Sequence, residues 1–180
     1  KTKGVEQQMK IVRKILIFGF ILLSVSLLQG CRISYSFSGT SIQPDVMTFM
    51  VEYFENKAMK VNPSLSNNLT EALIDKYTKL TRLKMDTESG DICVSGEITG
   101  YDTRPMAVTA DEVAAQNRLT VTLKIKYTNR LHPDEDFEKN FSAYSDYDSM
   151  QSLDAVEASL CDEIIEKLVE DIFNATVANW

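Results

Sequence analysis

Residues Arg118–Asn129 alternate without a break. Leu119, Val121, Leu123, Ile125 and Tyr127 fall on one parity; Thr120, Thr122, Lys124, Lys126 and Thr128 fall on the other. A period of two with one apolar and one polar side is a strand of a sheet buried on a single face. That face needs an apolar cover, and the sequence supplies two amphipathic helices. Over Ser64–Lys84, Leu65, Leu69, Leu73, Tyr77 and Leu80 form one stripe, with Ser64 or Ser66 as the N-cap. Over Leu153–Trp180 the stripe is Val156, Leu160, Ile164, Leu168 and Ile172, widened by Ile165, Val169 and Phe173.

Three more segments read as strands. Val46–Phe54 is rich in β-branched, aromatic and Met residues. Asp91–Tyr101 puts Ile92, Val94 and Ile98 on one face and Cys93, Ser95, Glu97 and Thr99 on the other. Phe137–Tyr147 is expected to contain an irregularity, because Phe141 and Tyr144 are out of step. The order β-α-β-β-β-α predicts an α+β fold: a two-layer sandwich with a four-stranded sheet and two helices packed on one face.

The N-terminus carries a separate message. Lys10, Arg13 and Lys14 precede an uncharged run from Ile15 to Leu28, followed by Leu28-Gln29-Gly30-Cys31. The run is of signal-peptide length and short of the ~18–20 residues that span a bilayer. Charge, apolar run, small residue and Cys, in that order, look like a bacterial lipobox, cleaved before Cys31 so that Cys31 carries the acyl chains. Met9 is the expected start. Residues 1–30 are then the signal peptide, 31–44 the lipidated Cys and a short polar tether, and 45–180 the folded domain. Five of the 19 basic and one of the 26 acidic residues precede Cys31, so cleavage takes the net charge from −7 to −11. Arg32 stands where an Asp favours inner-membrane retention in enterobacterial lipoproteins, and residues 32–44 hold no acid. Both features place the domain at the outer membrane, facing the periplasm.

The inventory excludes several classes. A domain this acidic lacks the basic face of a phosphate-backbone binder, so no nucleic acid is expected. One His rules out a multi-His metal site. There is no Gly-x-Ser-x-Gly, no Gly-rich phosphate loop and no Cys–His nucleophile context, so neither an enzyme nor a cofactor is expected. The acids Asp134-Glu135-Asp136 and Asp146/Asp148 lack calcium-loop spacing and read as solvated turns. Cys93 and Cys161 fall on opposite sides of the predicted sheet and are expected to remain free thiols.

Several segments together carry a family resemblance. These are Gly90-Asp91 opening a strand, Gly96-Glu97-Ile98-Thr99-Gly100-Tyr101, and Asn117-Arg118-Leu119-Thr120-Val121. They also include Phe141-Ser142 with Tyr144, Asp146, Tyr147 and Asp148, and finally Asp171-Ile172-Phe173-Asn174. In order and spacing the chain resembles the LPS-assembly lipoprotein family, LptE, in its Bacteroidota branch, over the whole mature length. The resemblance implies a small sheet with two helices. It implies a lipoprotein that plugs and helps assemble the large LptD β-barrel of the outer membrane, which moves lipopolysaccharide to the outer leaflet. Some members bind lipopolysaccharide themselves.

Lipopolysaccharide carries phosphates, so a binder offers Lys or Arg. The candidate contacts for lipopolysaccharide or barrel are Arg104 and Arg118, flanking the loop Pro105–Asn117, with Lys124, Lys126 and Arg130 on the next strand. A Thr/Lys stripe also serves simply to keep a sheet face in water. A lipoprotein that binds a small ligand or scaffolds another envelope complex is the alternative function.

Overall fold

The computed structural model describes residues 42–60, 62–106 and 115–177. The elements are β1 (Thr48–Val51), β2 (Glu55–Asn56), α1 (Leu65–Leu80), β3 (Lys84–Met85), β4 (Ile92–Pro105), β5 (Gln116–Asn129), β6 (Phe137–Asp148) and α2 (Leu153–Val177). Cys31, the tether up to residue 41, most of the Pro105–Asn117 loop and Trp180 lie outside the described residues.

Among the described residues the sheet has six strands where the sequence predicts four. Its order is β3-β1-β4-β5-β6, with β2 also beside β4. The long strands β4, β5 and β6 form an antiparallel meander. The short ones are parallel: β1 to β3 and to β4, and β2 to β4. A parallel return needs a crossover, and α1 provides it between β1 and β3. Both helices cover one face: α1 packs on β1 and β3, α2 on β5 and β6, and the two helices on each other.

Pattern and structure part company at specific places. The first strand breaks at Glu52, because Phe54 turns fully inward. The first helix ends at Leu80, which is exposed, and Lys84 belongs to β3. Neither serine caps it. The Asn62 carboxamide oxygen instead accepts from the Ser64 and Leu65 N–H groups at 3.0 and 3.2 Å. β6 is regular, pairing in unbroken register from Phe137↔Tyr127 to Asp148↔Gln116. Phe141, Ala143, Ser145 and Tyr147 face the core, and Tyr144 faces out. The irregularity lies in β4 instead, where the register shifts between Ile98 and Gly100. That bulge turns Tyr101 into the core, where its hydroxyl bonds the Glu157 carboxylate.

Leu69, Leu73, Ile98, Leu119, Leu123 and Ile164 are fully buried in a single core. Tyr77 is its aromatic centre. It stacks on Phe49 with centroids 5.2 Å apart, meets the edge of Phe173 at 5.4 Å, and bonds the Thr176 hydroxyl. One ring thus joins sheet, α1 and α2. Cys93 and Cys161 are both free thiols, Cys161 on the buried side of α2 and Cys93 on the outer face of β4.

Candidate functional site

The face of the sheet away from the helices follows from parity and register. On β5 the even residues Arg118 to Thr128 point outward, since the odd ones from Leu119 to Asn129 are buried. Register sets Glu97 and Asn140 beside Lys124, Ser95 and Glu138 beside Lys126, and Arg104 and Asp146 beside Arg118. Four of the five predicted cationic contacts, Arg104, Arg118, Lys124 and Lys126, therefore share this face.

Most of its charges are paired across strands. Arg118 grips Asp146 with two bonds, Nε to Oδ1 at 2.7 Å and Nη2 to Oδ2 at 2.8 Å. Its guanidinium lies 3.6 Å from the Tyr144 ring centroid. The bond to Asp146 raises the Arg118 pKa, and the bond to Arg118 lowers that of Asp146. Lys124 pairs with Glu138 at 2.7 Å, and Lys57 with Glu97 at 2.7 Å. Hydroxyls fill the space between: Thr122 and Ser142 lie 3.2 Å apart, and Thr99 donates to the Thr122 carbonyl. Among the described residues Arg104 and Lys126 have no ion-pair partner.

Alternation pointed to the stripe but could not reveal its pairing. Asp146 and Glu138 become partners only once the β5–β6 register is known, Lys57 carries no signal of its own, and nothing in the sequence sets Tyr144 under Arg118. A double-mutant cycle on Arg118→Ala and Asp146→Ala is expected to give a favourable, non-zero coupling, because the pair is bidentate and its side chains are only 28% and 27% exposed. A coupling near zero in urea unfolding would show that the pair exists without holding the strands.

Arg130 sits apart. It donates to Asp91 Oδ1 at 2.7 Å, while Asp91 Oδ2 accepts from the Met47 and Thr48 N–H groups at 3.0 Å each. Arg130 is therefore part of the clasp that holds the start of β1 to β4. The acids of the following turn are also engaged: Asp136 accepts from the Asn129 N–H at 2.7 Å and Glu135 from the Asn129 side chain at 2.8 Å. His132 contacts both oxygens of Asp45 at 3.0 Å, where the chain enters the domain.

The hydrogen bond to Asp45 raises the His132 pKa, and the bond to His132 lowers that of Asp45. The His132 contribution to stability is complete below its unfolded pKa of about 6.5 and is lost as pH rises through its higher folded value. The Asp45 contribution is complete above about 3.9 and is lost as pH falls through its lower folded value. An NMR titration is expected to show the His132 ring titrating above the free imidazole, and Asp45→Asn to lower it toward the free value. Identical titration in the two proteins would remove the pair as a link.

The excess acid lies on α2. α2 carries Asp154, Glu157, Asp162, Glu163, Glu166, Glu170 and Asp171 against Lys167 alone. The sheet face is polar and nearly balanced by comparison. Among the described residues no group of His, Cys, Asp and Glu is placed to hold a metal ion, and no helix is long and apolar enough to cross a membrane.

The sequence profile of the LptE, lipopolysaccharide-assembly, family matches residues 46–176, well over half of the chain. The chain belongs to the LptE family. The match begins at the first strand and ends in the last turn of α2, so it spans the whole sandwich. Membership makes this protein an envelope lipoprotein with a role in lipopolysaccharide assembly, in a family of assembly lipoproteins and not of enzymes. No curated protein matches the sequence. Solved structures do, at low identity. A hypothetical protein from Chlamydia trachomatis has 9% identity and a TM-score of 0.50, covering 74% of this chain and 99% of that one. A minor lipoprotein from Acinetobacter baumannii has 13% identity and a TM-score of 0.45, covering 71% and 89%. A lipoprotein from Neisseria meningitidis has 11% identity and a TM-score of 0.41, covering 71% and 99%. The first of these likenesses shows the LptE-family chain's fold and nothing more.

Proposed function

We propose that this LptE-family protein, anchored to the outer membrane by acyl chains on Cys31, plugs an LptD-like β-barrel and assists its lipopolysaccharide traffic. The observation that carries this reading is the outer face of the sheet. Three strands present hydroxyls and cross-strand ion pairs there, with Arg118, Lys124 and Lys57 each matched to a carboxylate. A plug in a water-lined barrel needs such a surface: hydrophilic, internally satisfied and weakly charged. An apolar docking partner or a lipid tail would strip the water from those ion pairs and hydroxyls without replacing it.

Lipopolysaccharide contact is the finer part of the proposal. Arg104 and Lys126 are the cations of this face whose charge no described carboxylate meets. Arg118 and Lys124 reach a phosphate only by giving up Asp146 or Glu138. Arg130, spent on Asp91, is the weakest of the five candidates.

The test is affinity purification of the tagged, lipidated protein from detergent-solubilised outer membranes. Stoichiometric recovery of one large β-barrel is expected. Recovery of the protein alone, or with soluble periplasmic proteins only, would sink the plug and favour the small-ligand or scaffold alternative. Charge reversal at Lys126 and Arg104 separates the finer claim: barrel recovery is retained while bound lipopolysaccharide falls.

A further inference from the structure

The two helices run side by side in the same direction. Just before α1, Asn62 Nδ2 donates to Cys161 Sγ at 3.7 Å. Near the end of α1, Lys76 pairs with Glu170 and the Tyr77 hydroxyl meets that of Thr176. Between these contacts, on the side away from the sheet, lies an open groove of 580 Å³. α1 lines it with residues 68, 71, 72, 75 and 76, and α2 with residues 162, 165, 166 and 169. Both sets follow the i, i+3, i+4, i+7 spacing, so each helix presents a second stripe beside the one it buries. The lining runs about 12 Å at 1.5 Å per residue, roughly two turns of each helix.

Floor and walls differ in chemistry. Ala72, Ile165 and Val169 form an apolar floor. Glu71 and Asp75 stand on one wall, Asp162 and Glu166 on the other, all four exposed. Lys79 answers Asp75 one turn on, and Lys76 is held by Glu170. Among the described residues Glu71, Asp162 and Glu166 have no ion-pair partner.

This combination selects an occupant. A phosphate-bearing lipid would meet like charge on both walls. An acyl chain would strip water from the carboxylates without replacing it. Among the described residues no group of acids is placed to hold a metal ion. An extended peptide finds no open strand edge, since both walls are helices. A second copy would bring its own α2, with seven acids to one lysine, against the same acids. A helix with an apolar ridge and Lys or Arg along both flanks matches floor and walls together.

We propose that the α1–α2 groove docks a basic amphipathic helix of another envelope protein. The ridge of that helix lies over Ala72, Ile165 and Val169, and its cations meet Glu71, Asp162 and Glu166. The proposal goes beyond the plug reading and does not rest on it. The groove lies on the helix side of the domain, opposite the sheet face offered to the barrel, so the two partners do not compete.

Photo-crosslinking in intact cells tests the docking on the full lipidated chain. A benzoylphenylalanine in place of Asn68, on the exposed rim, is activated by light, and the segment joined to it is sequenced by mass. The expected adduct is a peptide with apolar residues at i, i+3, i+4 and i+7 and Lys or Arg beside them. An adduct with a barrel strand, an acidic or neutral segment, lipopolysaccharide or a second copy overturns the proposal, and so does the absence of any adduct. Glu166→Lys is expected to lower the adduct yield at least about tenfold, whereas Asp171→Lys, the same charge change outside the groove, leaves it within about twofold. Equal losses in the two variants overturn a local site. Ala72→Glu separates floor from walls, because it adds negative charge while spoiling the apolar surface. The yield is expected to fall; a rise or no change means that charge alone gathers the partner, and overturns the groove. Thermal melting of each variant checks that the domain is folded. Barrel recovery reads the opposite face, so failure here is distinguishable from failure of the plug reading.

Discussion

Asp91→Ala is expected to destabilise the domain by about 2 kcal/mol and to lower Tm by roughly 6–8 °C. Asp91 opens β4 and is only 12% exposed. Its two oxygens serve three donors, Met47 N–H, Thr48 N–H and Arg130, and the Thr48 hydroxyl accepts from its own N–H at 2.9 Å. The backbone bond from Met47 is the largest of the influences that pull its pKa down to about 2 from an ordinary 3.8. A carboxyl whose folded pKa lies below its unfolded value contributes stability that is complete above about 3.9 and is lost as pH falls through about 2. Subtracting the Asp91→Ala stability curve from that of the parent therefore gives a difference that is flat at neutral pH and closes in acid. Asp91→Asn keeps one acceptor and is expected to lose about half as much. A neutral-pH loss below 0.5 kcal/mol in urea titration, or a difference that persists at pH 2, would overturn the clasp. Arg130→Ala is expected to show a smaller loss with the same pH dependence, because Arg130 is the exposed third donor.

Length decided what the sequence could reveal. Twelve alternating residues in β5 and a 25-residue stripe in α2 repeat their period often enough to be read directly. Two-residue strands such as β2 and β3 have no period, so the parallel half of the sheet was invisible, and with it the strand order. The misplaced irregularity has a chemical cause. Tyr144 counts as apolar by composition, yet it lies outward under the Arg118 guanidinium; the actual bulge at Thr99 is hidden by polar neighbours. Candidate cations were legible as residue types on one face. Their partners were not, because Arg118 meets Asp146 and Arg130 meets Asp91 across 28 and 39 residues of chain. Arg130 looked like the end of a cationic track for that reason alone. The segments that carry the family resemblance now have physical roles: Gly90-Asp91 is the clasp, and Gly96 to Tyr101 is the gap and bulge that admit two aromatic rings to the core.

Gly96→Ala is expected to cost about 3 kcal/mol or more. Gly96 is the core-facing residue of β4 between Val94 and Ile98, a position that alternation assigns to an aliphatic side chain. A Cβ there would meet the Lys124 carbonyl oxygen at 2.4 Å, and Ile125 Cδ1 and Phe54 Cε1 at 3.0 Å. The first is backbone of the paired strand and cannot rotate away. The Phe54 ring fills the space that the missing side chain leaves, which is why the chain breaks between β1 and β2 and why Phe54 is fully buried. Two contacts of different stiffness make the mechanism separable. Phe54→Leu in the Gly96→Ala background relieves the ring contact but not the carbonyl, so it is expected to recover only a minor part of the loss. Full recovery would mean that the ring alone excluded the methyl and that β5 yields. A Gly96→Ala protein within 1 kcal/mol of the parent in urea would mean that the strands spread without cost, and that this glycine reserves no space.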